Sequence, residues 1–349
     1  MTGPVQSPDG IKVEPVTDWL VRRVEVTPPL KFEVIAGGRS NLTFTVIDAQ
    51  GRRWVLRRPP LHSLLASAHD VAREHRIMAA LQDTAVPVPP LVGVEPSGEV
   101  LGAPFYVMEF VDGLVPRDAE VVTSRLDADA RRAVMFNLAD TLADLHRVDV
   151  DEVGLGNLAK RTDYIARQLH RWSGQYEKGS ERDLPLVRQV HDRLATDIPE
   201  QGPPAIVHGD YRLDNMIVGP DGSIRAVLDW ELCTLGDPLA DLGLLQVYWN
   251  PPAGQEMPMI PSAGSIPGAP LIEEMITRYG QQSGRDLSML DYYVAFGYWK
   301  LAIIFDGVYT RFESGAYGHT DGSHEAFGHI VFDLLELAAT KIGPRGRAS

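Results

Sequence analysis

Short runs of β-branched and aromatic residues fill the first third of this chain, and segments of helical period fill the rest. The sequence therefore demands a small β-rich lobe joined by one turn to a larger, mainly helical lobe, an α+β architecture. The strand runs are Phe32 to Ala36, Leu42 to Asp48, Arg53 to Arg58, Leu91 to Glu95 and Phe105 to Val111, enough for a five-stranded antiparallel sheet. Gly37-Gly38-Arg39-Ser40-Asn41 separates the first two, and Pro59-Pro60 stops the third. Helices are predicted at Val16 to Val26, capped by Thr17 or Asp18, and at Ala66 to Gln82. The turn signal Asp112-Gly113 sets the boundary. The expected organisation is a mobile leader at 1–15, a first lobe at 16–111, a second lobe at 112–342 and a tail at 343–349.

In the second lobe Val134, Leu138, Leu142 and Leu145 share one face of a helix spanning Ala130 to His146. Helical patterns follow at Tyr164 to Tyr176, Leu184 to Thr196, Leu271 to Ser283, Ser288 to Tyr309 and His324 to Lys341, with a β section at Ala205 to Asp229. Pro251 to Pro270 reads as a long loop. With 33 basic against 47 acidic residues, the net charge of −14 lacks the footprint that sequence-blind nucleic-acid binding needs. The most apolar helical stretch, Tyr292 to Phe305, is too short to span a bilayer and carries Lys300. The N-terminus has no basic region followed by an apolar one, so a cytoplasmic protein is expected. Cys233 stands alone, which excludes an internal disulfide and any multi-cysteine metal site, and it reads as a small buried hydrophobe.

Chemistry concentrates in Ile206-Val207-His208-Gly209-Asp210-Tyr211-Arg212-Leu213-Asp214-Asn215, followed by Val227-Leu228-Asp229-Trp230. An apolar strand delivers His208, a loop presents Asp210, Asn215 falls five residues later, and a turn at Gly219 to Gly222 leads back to Asp229. Phosphoryl transfer needs such a set: one carboxylate to orient an attacking hydroxyl, and two oxygen ligands to hold Mg²⁺ on the nucleotide phosphates. Asp210 suits the first role, Asn215 and Asp229 the second. The plain alternative is a β-hairpin whose Asp and Asn side chains only make local turns.

This segment, with Glu231 to Gly243 after it, resembles the aminoglycoside phosphotransferase family of kinase-like enzymes, related to choline kinases. Val55 to Pro60 upstream and Leu244 to Trp249 downstream are most similar to the branch that includes phosphotransferase domains fused to acyl-CoA dehydrogenases. The resemblance implies a protein-kinase-like bilobal fold, and ATP-dependent, Mg²⁺-dependent phosphorylation of a small-molecule hydroxyl. It places Gly38, Ser40 and Asn41 in the nucleotide loop, and Arg57 where kinases carry the strand lysine that grips phosphates. Strand alternation puts Arg57 and its rival Arg58 on opposite faces. Glu74 is the natural partner to orient Arg57, with a solvated surface glutamate as the alternative. Tyr106 to Phe110, ending at Glu109, resembles the hinge whose backbone meets adenine. His208 is structural in this pattern, Arg212 and Asp214 are loop-stabilising or solvated, and Asp237 and Asp241 support the loop.

His319, His324 and His329 match no helical face, which argues against zinc. Trp249, Tyr292, Tyr298 and Trp299 either line the substrate side or form an aromatic core. For the acceptor, Asp291, Asp306 and Glu313 are the scattered acidic candidates for an amino-sugar pocket. The aromatic and Met content of Tyr248 to Ile260 suits a more apolar partner, and the acyl-CoA-dehydrogenase-linked branch implies hydroxyacyl or lipid-like alcohols. A nucleotide-binding pseudokinase is the competing class. Neither nucleic acid, membrane nor an obligate protein partner is expected.

Overall fold

Alternation along each strand decides which side chains become core and which become site. In the computed structural model of the protein, residues 8–35, 41–61, 70–249, 257–258, 260–315 and 324–343 are described. Strands β1 (Lys31–Val34), β2 (Leu42–Ile47), β3 (Arg53–Arg58), β4 (Leu91–Glu95) and β5 (Phe105–Glu109) form one sheet in the order β1-β2-β3-β5-β4, every neighbour antiparallel. On one face Phe32, Phe44, Val46, Trp54, Leu56, Phe105 and Val107 bury against Val16, Trp19 and Leu20 of helix α1 (Val13–Val21). The residues between them, Arg57 on β3 and Tyr106 on β5, face the other way, toward helix α2 (Val71–Leu81). Asp70 caps α2, accepting from the N–H of Arg73 at 2.9 Å.

The first helix starts at Val13, earlier than the expected Val16, and ends at Val21. Thr17 and Asp18 are interior to it, and the Thr17 hydroxyl bonds back to the Val13 carbonyl. The physical reason is burial: Ile11 already belongs to the apolar cluster, so order begins inside the expected leader.

The chain divides into two compact units, Met1–Gly113 with Arg225–Leu232, and Leu114–Ile224 with Cys233–Ser349. The segment Arg225–Leu232, expected within the second lobe, belongs to the first. Its Val227 N–H donates to the Pro87 carbonyl, the Arg225 guanidinium donates to the Asp112 carbonyl, and Trp230 is fully buried.

The second unit contains α3 (Ala119–Arg125), α4 (Ala128–Arg147), α5 (Tyr164–Gly179), α6 (Pro185–Thr196), β6 (Ala205–Val207), β7 (Met216–Val218), β9 (Thr234–Gly236), α7 (Leu239–Trp249), α8 (Ile272–Ser283), α9 (Leu290–Glu313) and α10 (Glu325–Ile342). Strand β8 (Ile224–Val227) leads into the segment that joins the first unit. β6 pairs antiparallel with β9. Helix α3 is too short to show a period and was not expected, although its cap is present: the Asp118 carboxylate accepts from the Val121 N–H. Helices α7 and α9 are apolar nearly all round and form the centre of this unit.

Gly243 on α7 lies where a Cβ would come within 2.6 Å of the Tyr293 backbone on α9, so the two helices meet at van der Waals distance. Gly243→Val is expected to lose about 2–3 kcal/mol in urea unfolding through overpacking. A variant as stable as the parent would mean that the two helices can part without cost.

Candidate active site

The loop after β6 is held before it is chemical. The N–H groups of His208 and Gly209 donate to the two oxygens of Asp241, at 2.6 and 2.8 Å. Asp241 sits in the first turn of α7 and is 1% exposed. Burial pushes its carboxyl up, but the bonds from His146 and the loop amide outweigh that, and it ends below the ordinary aspartate value. His146 is itself buried, and burial pulls it down, so it is neutral: Nε2 faces Asp241 at 3.3 Å and Nδ1 faces the Tyr279 hydroxyl at 2.8 Å. That pairing requires the proton on Nε2, with the Tyr279 hydroxyl donating to Nδ1. His208 is completely buried, and its Nδ1 accepts from the Asp210 N–H at 3.3 Å. It is a strut, as the sequence implied.

Asp210 therefore leaves a rigid loop, and its carboxylate is ringed by donors. Oδ1 accepts from the Tyr248 hydroxyl at 3.0 Å, and Oδ2 accepts from Arg212 Nε at 3.1 Å and Asn215 Nδ2 at 3.2 Å. The side chain still shows 23% of its surface. Asn215 Nδ2 also donates to the Asp210 carbonyl at 2.9 Å, which fixes the amide orientation and turns its own oxygen away from Asp210. Arg212 bridges Asp210 and Asp214, which raises its pKa against the opposing effect of burial. Of the two roles expected of it, solvated or loop-stabilising, these pairs fit the second.

The first unit builds a second cluster around Arg57. Its Nε lies 3.2 Å from Glu74 Oε2, and its Nη2 donates to Asp229 Oδ1 at 2.9 Å with Glu231 3.9 Å away. Asn41 Nδ2 and the Tyr106 hydroxyl donate to the two Glu74 oxygens, at 2.7 and 3.1 Å. Asp229 holds φ at +64°, a left-handed backbone uncommon outside glycine that costs about 1 kcal/mol or more and persists where surroundings impose it. Arg58, on the opposite face, donates to the carbonyls of Gly10 and Pro59. Of the two arginines, Arg57 is the one in the acidic cluster.

The Asn41 side chain and the Glu109 backbone N–H are each committed within the protein. Asn41 is turned inward onto Glu74 and is 2% exposed, so its side chain is not offered to a phosphate. The Glu109 N–H is already donated to the Pro90 carbonyl, and its side chain is exposed. Gly38 and Ser40 lie outside the described residues. Trp249, Tyr292 and Trp299 are core: each is buried and donates to a backbone carbonyl, of Pro270, Leu194 and Val187 respectively. Cys233, the one cysteine of the sequence, is buried. Tyr248, Glu231 and Lys300 were missed. The one available signal was Lys300 itself, the single charged residue in the apolar stretch from Tyr292 to Phe305.

Burial pushes the Glu74 carboxyl up to about 7, with Arg57 opposing and Asp229 and Glu231 adding to the shift. The folded protein thus holds this proton more tightly than the unfolded chain does. The associated stability is full below about pH 4.5 and is lost as pH rises through about 7. At ~1.36 kcal/mol per unit this amounts to about 3 kcal/mol. The urea-unfolding free energy of the parent, minus that of Glu74→Gln, should fall by about that amount over this window. A flat difference would show Glu74 ionised throughout.

A sheet bearing a buried Arg–Glu pair, with an Asp–Asn loop delivered by a short strand in a helical unit, is a kinase-like α+β fold, and solved structures agree. A protein of Ralstonia eutropha JMP134, provisionally assigned as an aminoglycoside phosphotransferase, matches with a TM-score of 0.80 and 30% identity, covering 95% of this chain and 98% of that one. The aminoglycoside phosphotransferase APH(4)-Ia, in a ternary complex with AMP-PNP and hygromycin B, shares the fold at a TM-score of 0.59 and 17% identity, covering 93% of this chain and 99% of that one. The phosphotransferase enzyme family model matches residues 31–285, and the chain belongs to that family. Among curated relatives, acyl-CoA dehydrogenase family member 10 of Mus musculus is 33% identical over 328 residues, covering 91% of this chain and 30% of the relative. Family member 11 of Homo sapiens is 34% identical over 306 residues, covering 86% and 38%. The chain spans roughly a third of the length of these relatives.

Proposed function

We propose that this protein transfers the γ-phosphate of ATP to a hydroxyl of a small molecule, and that the acceptor is of the hydroxyacyl or lipid-like class. The observation that carries the reading is Asp210, a partly exposed carboxylate fixed by three donors on a loop pinned from beneath. Such a group orients the acceptor hydroxyl and takes its proton as the oxygen bonds to the γ-phosphorus and the β–γ bridge breaks. Arg57 is assigned to the nucleotide phosphates, oriented by Glu74. The nucleotide loop with Gly38, Ser40 and the Asn41 backbone, and the strand end at Glu109, are the remaining nucleotide contacts in this reading.

Asn215 and Asp229 fit Mg²⁺, a hard cation that takes oxygen ligands. With Nδ2 committed twice to Asp210, Asn215 can offer only its amide oxygen, and Asp229 contributes a carboxylate. When bound, the ion would neutralise phosphate charge. The work of the chain itself is positioning.

For the acceptor, the acidic candidates are already spent. Asp291 pairs with Lys341 at 2.7 Å, Glu313 with His324 at 2.7 Å, and Asp306 is buried beside Arg182 at 3.3 Å. That is a poor set for a polycationic amino sugar, and it favours a less charged alcohol. The acyl-CoA dehydrogenase names of the curated relatives point the same way.

The test is ADP release from Mg·ATP against aminoglycosides, macrolides, choline-like alcohols and hydroxyacyl thioesters, beside thermal shift with Mg·ATP. Release stimulated by the hydroxyacyl thioesters is the expected result. Stimulation by an antibiotic alone overturns the acceptor class, and no stabilisation by Mg·ATP overturns the nucleotide site.

A further inference from the structure

We propose that Lys300 is a positioning residue for Asp210: its buried ammonium fixes the Gly209–Asp210 peptide by its carbonyl, while Asp241 holds the preceding peptide by the Gly209 N–H. This rests on the reading of Asp210 given above. Lys300 is the one charged residue between Tyr292 and Phe305, and it is buried at the centre of α9. An ammonium out of water is tolerated only when it is paired and hydrogen-bonded. Its Nζ donates to the Gly209 carbonyl at 3.0 Å and lies 5.5 Å from the centroid of the Trp172 ring. A cavity of about 10 Å³, the size of one water, is lined by Tyr164, Gly209, Asp241 and Lys300, giving room for a second acceptor. Burial pulls the ammonium down, and the charges of Asp210 and Asp241 hold it up.

Gly209 is thus held through both of its backbone groups: its N–H, in the His208–Gly209 peptide, donates to Asp241 at 2.8 Å, and its carbonyl, in the Gly209–Asp210 peptide, accepts from Lys300 at 3.0 Å. Gly209 has φ at +85°, a conformation open to glycine, so nothing in its own side chain resists rotation. Any swing of this peptide would displace Asp210, the next residue. Lys300 reaches the loop from 91 residues away and touches neither nucleotide nor acceptor in this scheme.

Lys300→Met keeps the apolar stem and removes the ammonium, which separates anchoring from core filling. In the full chain without nucleotide, amide exchange at Gly209 to Asn215 should rise about tenfold or more, with the α9 amides unchanged. With ATP and an acceptor, kcat should fall by a similar factor while the KM for ATP stays within about twofold. A folded variant whose loop exchange matches the parent overturns the proposal, as does a rise shared equally by α9. Where Lys300→Met does not fold, Lys300→Leu, which likewise lacks an N–H donor, is read by the same contrast. Exchange needs no substrate, so the two readings fail separately. A loosened loop in a protein that no acceptor turns over counts against the phosphotransferase reading. A normal loop in an active enzyme counts against Lys300.

Discussion

Asp210→Asn enzyme, supplied with Mg·ATP and an acceptor that stimulates the parent, should turn over about 10²–10⁴-fold more slowly. Its affinity for Mg·ADP should stay within a few-fold of the parent, since Asp210 is not assigned to the nucleotide. The size of the effect follows from the surroundings. Tyr248, Arg212 and Asn215 hold the carboxylate by three hydrogen bonds, so it is oriented before any acceptor arrives. An amide in its place cannot take a proton, and its NH₂ group must meet Arg212 and Asn215 or Tyr248, all donors as they stand. Asp210→Ala, free of that conflict, separates loss of the carboxylate from disturbance of the loop. Steady-state kinetics of both variants check the prediction, and a loss of less than tenfold in both would remove Asp210 from the chemistry.

Asp241→Ala is expected to lose about 3–6 kcal/mol, because it strands the N–H groups of His208 and Gly209 and the Nε2–H of His146, all buried. In a unit of this size that is a fall of roughly 10 °C or more in Tm. The pH sign is also defined. The folded carboxyl lies below the ordinary value of 3.8, so this stability is complete above that pH and disappears only as acid titrates the group itself. Thermal melts of the parent and Asp241→Ala at pH 5 and pH 7.5 should differ by the same margin. A margin that shrinks at pH 5 would mean that the carboxyl is already protonated there.

Legibility divided along chain distance. Strand β3 is legible to the residue because a turn at Ala49 to Gly51 leads into it and Pro59-Pro60 ends it, and β4 because prolines precede it. Asp210 and Asn215 were readable because their spacing is local and the 3₁₀ turn between them, Leu213–Asn215, brings them together. The groups that act on them are not local. Tyr248 reaches Asp210 over 38 residues and Lys300 reaches Gly209 over 91, and neither distance leaves a period in the sequence. Helix α1 was misplaced for a related reason: Thr17 and Asp18 are good caps by residue type, but burial of Ile11 and Val16 decided where the helix begins. Asn41 has the composition of a phosphate loop and was instead drawn onto Glu74, a partner 33 residues away.

The membership of Arg225–Leu232 in the first unit reaches into how the protein is made. When the nascent chain has reached Gly113, the ribosome has delivered the whole five-stranded sheet but neither Asp229 nor Glu231, two of the three carboxylates around Arg57, nor the buried Trp230. More than a hundred further residues must be synthesised before that gap closes, while Arg57 has only Glu74 to answer its charge. The first unit to emerge is therefore not the first to be complete, and its Arg57 cluster can form only late in translation.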